Sequence, residues 1–406
     1  MQRRRADARV GVLLPALDLA AEALRQHGRG RERVRQEKWL AGPGHVWSAG
    51  LVTDRAMSGG ELAQQFYADV VAPLLAGAMP GLRYAAGRLG SGSDVLGFDD
   101  PMSRDHDWGC RLTLLVDGPD RDAVPQISGL LERELPDSYR GYPVRFPVSW
   151  DLALSHKVEV ATVAGFAASR LGVDPTGGLS VPEWLILTGQ SVLEVIAGPV
   201  FADRTSELAP VRAALRWYPP DVERYVLAAG WQRLSQEMPM VGRTAERGDE
   251  LGSRLLSARL AGDLIWLAFA LSRRWPPYPK WRGAAFQALA LAADLAGPLA
   301  TATTAPDWRG RESGLADACE VLLGAQRARG LPAPARVVTR FWDRPYRTID
   351  EAVQQGLLAD ITDPHVTHLP TSIGSIEQWV SSVDVLASPA RRSAVQAAYR
   401  AWADLS

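Results

Sequence analysis

Between Gly92 and Trp108 the chain runs Gly-Ser-Asp-Val-Leu-Gly-Phe-Asp-Asp-Pro-Met-Ser-Arg-Asp-His-Asp-Trp, so a Gly92-Ser93 pair is followed after eleven residues by the carboxylates of Asp105 and Asp107. Glycine lets a backbone come close to an anion, and a serine hydroxyl with the amides after it can donate to phosphate oxygens. Two aspartates two positions apart leave the same face of an extended chain. Such a pair is a hard-oxygen donor set suited to Mg²⁺. A third acid lies further on: Lys157-Val-Glu-Val-Ala-Thr-Val163 alternates as a strand does, and Glu159 is its single carboxylate. If that strand pairs beside the one entered at Asp105, the three acids form a triad, and the chemistry indicated is metal-dependent work on a phosphate.

The elements that must hold these residues can be read from periodicity. Residues 82–89 have strand character and Cys110-Arg-Leu-Thr-Leu-Leu-Val116 is a β-prone apolar run, so the Gly-Ser pair sits in a loop between strands expected over 82–89 and 106–116. A helix is expected over 60–78, where Leu62, Phe66, Val70 and Leu74 recur at period four, then a helix over 120–134 and strands over 143–149 and 157–163. Beyond the turn-rich stretch 171–178 the pattern becomes helical. Leu256, Leu260, Leu264, Leu267 and Leu271 form one stripe, and Val222, Tyr225, Val226 and Ala229 another. The organisation expected is an N-terminal basic helix and arm over 1–58, a catalytic module over 59–172 and a helical domain over 173–406.

The order of Gly92-Ser93, Asp105-x-Asp107 and Glu159 between apolar neighbours resembles the nucleotidyltransferase superfamily, the fold of DNA polymerase beta, poly(A) polymerases and the aminoglycoside and lincosamide nucleotidyltransferases. Further motifs are similar to a nucleotidyltransferase-like domain family of unknown function: Ser-Arg-Asp-His-Asp-Trp-Gly at 103–109, Gly-Asp-Glu-Leu-Gly-Ser at 248–253, Pro-Tyr-Pro-Lys-Trp at 277–281 and Asp-Arg-Pro-Tyr at 343–346. The resemblance spans roughly residues 60–390, and Cys110 departs from it where proline is expected after Trp-Gly. It implies an α+β fold in which a small mixed β-sheet core flanked by helices precedes a C-terminal α-helical bundle, with the active site in the cleft between them. It also implies transfer of a nucleoside monophosphate from an NTP, ATP being the first expectation, to an acceptor hydroxyl or amine, with release of pyrophosphate. On that reading Asp105 and Asp107 hold two Mg²⁺ ions, Glu159 completes the metal shell or acts as general base, and Gly92 and Ser93 grip the outgoing phosphates. A member that keeps the fold and binds nucleotides or partners without turnover is the competing reading.

Lysine is scarce, only Lys38, Lys157 and Lys280 against 45 basic residues in all, so Lys280 inside Tyr-Pro-Lys-Trp stands out as a triphosphate contact. A surface lysine packed on tryptophan explains it equally well. Arg259 and Asp263 adjoin the Leu256 stripe four residues apart, which fits an i,i+4 ion pair or a ligand role. His106, between the aspartates, points to the opposite face and is read as a core or supporting residue. His365 and His368 lack the glutamate and the spacing of four that a helical zinc motif needs. Most of the fourteen tryptophans signal packing, with one or two available to stack on a base.

Composition bounds the partners. With 406 residues and 47% hydrophobic content the chain can bury a full core, and its net charge of −1 gives no general electrostatic case for nucleic acid. Arg25, Arg29, Arg31, Arg33 and Arg35 keep RNA-directed transfer as a further alternative; a small-molecule acceptor fits the rest of the chain better. Cys110 and Cys319 are isolated from any partner motif, which argues against a disulfide framework or zinc and fits a reducing cytoplasm. The stretch from Val10 to Leu24 reads as an amphipathic helix rather than an export signal, because Asp18 and Glu22 interrupt it, and no window has the length of an apolar membrane span. Oligomeric state has no signature.

Overall fold

The computed structural model describes residues 57–99, 108–148 and 151–403. Chain entry is fixed by a capping box at Ser58, whose hydroxyl accepts from the Glu61 amide at 3.2 Å while the Glu61 carboxylate accepts from the Ser58 amide at 2.8 Å. From there α1 (Gly59–Phe66) runs through a π-helical turn (Tyr67–Val71) into α2 (Ala72–Ala78). The extra residue of the π turn rotates the apolar stripe by one position. Leu62 and Phe66 are fully buried as the period-four pattern predicts, but the next buried positions are Val71 and Leu75 rather than Val70 and Leu74.

The sheet begins with β1 (Ala85–Gly87) and β2 (Arg111–Val116), continues after α3 (Ala123–Glu134) and the small hairpin β3 (Ser138–Tyr139) and β4 (Tyr142–Pro143) into β5 (Arg145–Val148) and β6 (Asp151–Thr162). Then come α4 (Val163–Leu171), α5 (Val181–Leu185), α6 (Gly189–Ile196) and the last sheet strand, β7 (Val200–Asp203). The spatial order is β5-β6-β2-β1-β7; β2 and β6 are parallel and every other pair antiparallel, so the sheet is mixed. The parallel pair needs a crossover, and α3 lies on it. Along it Arg111 pairs with Lys157 and Thr113 with Glu159. Alternation then separates two faces. Leu112, Leu114, Val116 and Val158 pack with Leu62, Phe66 and Ile127 in one core, whereas Leu115 joins a second core with Val163 and Phe166 of α4.

The remaining chain is mostly helical: α7 (Leu208–Ala214), α8 (Pro220–Ala245), α9 (Glu250–Leu271), α10 (Pro279–Gln287), α11 (Ala292–Thr304) and α12 (Trp308–Ala328). A hairpin of β8 (Val338–Arg340) and β9 (Arg347–Ile349) precedes α13 (Glu351–Ala359), the short α14 (Pro364–Thr367), α15 (Ile376–Trp379) and α16 (Val383–Leu386), and α17 (Pro389–Ala403). The two leucine- and valine-rich stripes do what their spacing predicts: Leu260, Leu264, Leu267 and Leu271 of α9 are buried in the same core as Val222, Tyr225 and Val226 of α8. The architecture is α+β, a small mixed sheet flanked by helices and followed by a helical C-terminal region. Among the described residues no helix is long and apolar enough to cross a membrane.

Candidate functional site

The Gly-Ser loop leaves the end of β1 and is built around a buried ion pair. Arg88, 2% exposed, donates through Nε and Nη2 to both Asp94 oxygens at 2.7 and 2.8 Å, and through Nη1 and Nη2 to the carbonyls of Leu89 and Ser91 at 2.7 and 2.8 Å. A fork that matches a carboxylate this closely fixes the loop in one shape. Gly92 sits inside the fork with φ +142°, and a Cβ there would lie 2.2 Å from Asp94 Oδ1 and 2.4 Å from Arg88 Nη2. The glycine is therefore required by the close approach of the ion pair to the backbone. Ser93 follows at the tip, its carbonyl accepting from the Leu96 and Phe98 amides at 3.1 and 2.9 Å.

This loop forms one wall of a cavity of about 860 Å³ whose lining includes Gly92, Ser93 and Trp108 on one side and Tyr278, Lys280 and Trp281 on the other. Gly92, Ser93 and Lys280, the three residues expected at a triphosphate, thus share one cavity. Lys280 stands in the first turn of α10, with Nζ 4.9 Å from the Trp281 ring centre. Deeper in the helical wall Asp263 accepts from Arg233 Nε at 3.1 Å, and Arg259 pairs with Glu237. Arg259 and Asp263 therefore do not form the i,i+4 pair that their spacing suggests, because α8 supplies each with a partner from across the helix interface; Arg233, Arg259 and Asp263 all line the cavity. Burial raises the Asp263 carboxyl above its ordinary range.

Glu159 opens into an adjoining lobe of about 750 Å³ that shares Ser91, Arg111, Thr188, Gln190 and Glu194 with the first. Its carboxylate accepts from Arg170 Nη2 at 2.6 Å, and Arg170 Nε lies 3.5 Å from Glu194. Burial raises the Glu194 carboxyl, against the hydrogen bond from Gln190 and the charge of Arg170. Glu377 ties the walls together: it accepts from the Gly189 amide at the start of α6 at 2.9 Å and lies 3.7 Å from Arg282 of α10. Burial raises its carboxyl too.

Asp105, His106 and Asp107 lie outside the described residues. The expected strand over 106–116 begins at Arg111, because Trp108 to Cys110 form a bend in which Gly109 packs so closely on Phe146 that a Cβ would sit 2.8 Å from the ring. Among the described residues no group of three or more His, Cys, Asp or Glu side chains is arranged to hold a metal. His365 and His368 are exposed, and His368 Nδ1 approaches the Pro364 carbonyl at 2.5 Å. Cys110 and Cys319 are buried free thiols, and burial pushes Cys110 up to about 11. Arg88, Asp94, Arg170, Glu194 and Glu377 were not evident beforehand. Asp94 had one signal, its place directly after Gly92-Ser93; the others acquire their partners only through the tertiary fold.

Comparison with known proteins adds little beyond this geometry. The family model described as "Domain of unknown function (DUF4037)" matches residues 184–282, which includes α6, α8, α9 and the Lys280 turn. No curated protein matches the chain. A solved structure described as a nucleotidyltransferase-like protein from Exiguobacterium sibiricum 255-15 is similar over 66% of this chain and 77% of its own, with 13% identity and a TM-score of 0.31.

Proposed function

We propose that the protein is an NTP-dependent nucleotidyltransferase whose reaction takes place where the two lobes meet. The observation that carries this reading is that Gly92, Ser93 and Lys280 line one cavity while Glu159 opens into the lobe beside it. The NTP would lie with its triphosphate between the Gly-Ser loop and Lys280 and its base among Trp108, Trp281 and Trp379, which line the same cavity. ATP is the first candidate. The acceptor is read as a small molecule rather than nucleic acid.

Mg²⁺ fits the donor set, since Asp105, Asp107 and Glu159 offer only hard oxygens, and Asp107 directly precedes the cavity-lining Trp108 in the chain. When bound there it would neutralise charge on the triphosphate and lower the pKa of the acceptor hydroxyl or amine. The chain's own contribution is positioning. The acceptor oxygen or nitrogen forms a bond to the α-phosphorus, the bond from that phosphorus to the bridging oxygen breaks, and pyrophosphate leaves with the electron pair. The acceptor proton passes to a base, for which Glu159 is the candidate once Arg170 no longer claims its carboxylate. The rigid Arg88-Asp94 fork holds the phosphate-facing backbone still, so the reacting groups stay in line.

The test is release of pyrophosphate from each of the four NTPs in the presence of Mg²⁺ and a pool of small metabolites. Turnover is expected with at least one NTP, and Asp105→Asn or Asp107→Asn should remove it without lowering the melting temperature. Nucleotide binding with no turnover under any condition would instead leave a silent binding module. Unchanged turnover in both aspartate variants would refute the metal assignment.

A further inference from the structure

The two lobes are walled by different chemistry. The first carries Trp108, Tyr278, Trp281 and Trp379; the lobe that Glu159 enters has no Phe, Tyr or Trp in its lining, and its cations outnumber its carboxylates among the described residues. Glu159 and Glu194 are its two acids, and Arg170 already reaches both.

Lys157 and Arg392 of the lobe have no bonded anion among the described residues. Lys157 projects from β6 on the same face as Glu159, two residues away; its Nζ donates to the Ser155 hydroxyl at 3.0 Å and makes no ion pair among the described residues. Arg392 of α17 is 1% exposed. Its terminal nitrogens donate to the backbone carbonyls of Leu386, at 2.6 Å, and Arg170, and its buried Nε has no hydrogen-bond partner. A buried guanidinium hydrogen-bonded only to neutral carbonyls is costly to hold, and burial pushes its pKa down to about 10 against the nearby charges of Glu194 and Glu377. Arg392 lines the lobe together with Lys157, so a ligand oxyanion there would meet two cations that no carboxylate bonds among the described residues.

We infer that this lobe binds the acceptor, and that the acceptor is a small polar molecule bearing an oxyanion, a phosphate or carboxylate, held by Lys157 and Arg392. The word acceptor rests on the nucleotidyl-transfer reading; the anion site stands on the geometry alone. Its position next to Glu159 places such a molecule beside the proposed base, while the aromatic lobe keeps the base of the nucleotide.

The experiment is calorimetric titration of the full chain, loaded with Mg²⁺ and a non-hydrolysable ATP analogue, with inorganic phosphate in one arm and succinate in the other. At least one anion should bind the loaded protein, and the stronger arm identifies the acceptor's group. Lys157→Ala should weaken that binding roughly tenfold or more, the size of a lost charge-assisted hydrogen bond, with Lys157→Arg restoring most of it and the melting temperature unchanged. The affinity for the analogue should stay the same. If neither anion binds, if Lys157→Ala has no effect, or if Lys280→Ala weakens anion binding as much as Lys157→Ala, the inference is overturned. A protein that takes no nucleotide yet still binds an anion through Lys157 would overturn the transfer reading and keep the anion site.

Discussion

Trp281 of α10 stacks on Phe98 of the Gly-Ser loop with ring centres 5.0 Å apart and planes 8° from parallel. The loop that would face the phosphates is thereby pinned to the turn that carries Lys280. An aromatic pair contributes about 0.5–1.5 kcal/mol beyond burial of its area. A double-mutant cycle with Phe98→Ala and Trp281→Ala, read by urea unfolding, should return a coupling in that range; independent, additive effects would mean that the stack holds nothing together.

Gly92 is the position least able to accept a side chain. In Gly92→Ala the new Cβ would lie 2.2 Å from Asp94 Oδ1 and 2.4 Å from Arg88 Nη2, at a φ of +142° that L residues rarely adopt. The fork must then open, and opening a buried pair costs about 3–5 kcal/mol. The expected result is a loss of stability of that order, measured by denaturant midpoint, together with weaker nucleotide binding. Wild-type stability would show that the loop relaxes without losing the pair.

Lys280 lies over Trp281 in the cavity wall, its Nζ 4.9 Å from the ring centre, and under the proposed function it would be a flexible point charge for a phosphate tail that must leave. Lys280→Ala should raise KM for the NTP by the equivalent of about 1.5–3 kcal/mol, and that for the acceptor far less. Equal effects on both substrates would return the lysine to a surface role.

Glu377 carries a prediction in pH. Its burial raises the folded-state pKa above the unfolded one, so the folded protein holds the proton more tightly. The stability it contributes is complete at pH values below the ordinary glutamate pKa, and is lost as the pH rises through the folded value. Relative to Glu377→Gln, which keeps an acceptor for the Gly189 amide, the wild type should therefore lose stability as pH is raised from the ordinary carboxylate range upward. Urea midpoints of the two proteins that run parallel across that range would contradict the assignment.

Much of the scaffold was legible because it follows from periodicity. The α8 and α9 stripes, the alternating run around Glu159 and the extent of the first helix are local properties of the sequence. The shift from Val70 and Leu74 to Val71 and Leu75 was not, since a π turn leaves no mark in a period-four count. Nor was the late start of β2, where Gly109 yields to the Phe146 ring from a different strand. The expected site residues Gly92, Ser93, Glu159 and Lys280 came from type and spacing. Arg88, Arg170 and Arg392 escaped because an arginine in an arginine-rich chain gains meaning only from the partner it meets, six, eleven or more residues away, once the sheet has formed.

Pairing of β1 with β7 has a consequence for the order in which the protein can be made. The Arg88 amide donates to the Pro199 carbonyl at 2.9 Å, and a Cβ on Gly87 would stand 2.8 Å from that same oxygen, so the root of the Gly-Ser loop is seated against residue 199. During synthesis β1 and the loop emerge long before this neighbour does, with α3 to α6 still to come. Until residue 203 has left the ribosome, β1 keeps one unpaired edge, open to the strands of other nascent chains. A fragment stopping at 172 would keep that edge of β1 unpaired, because β7 lies beyond its end.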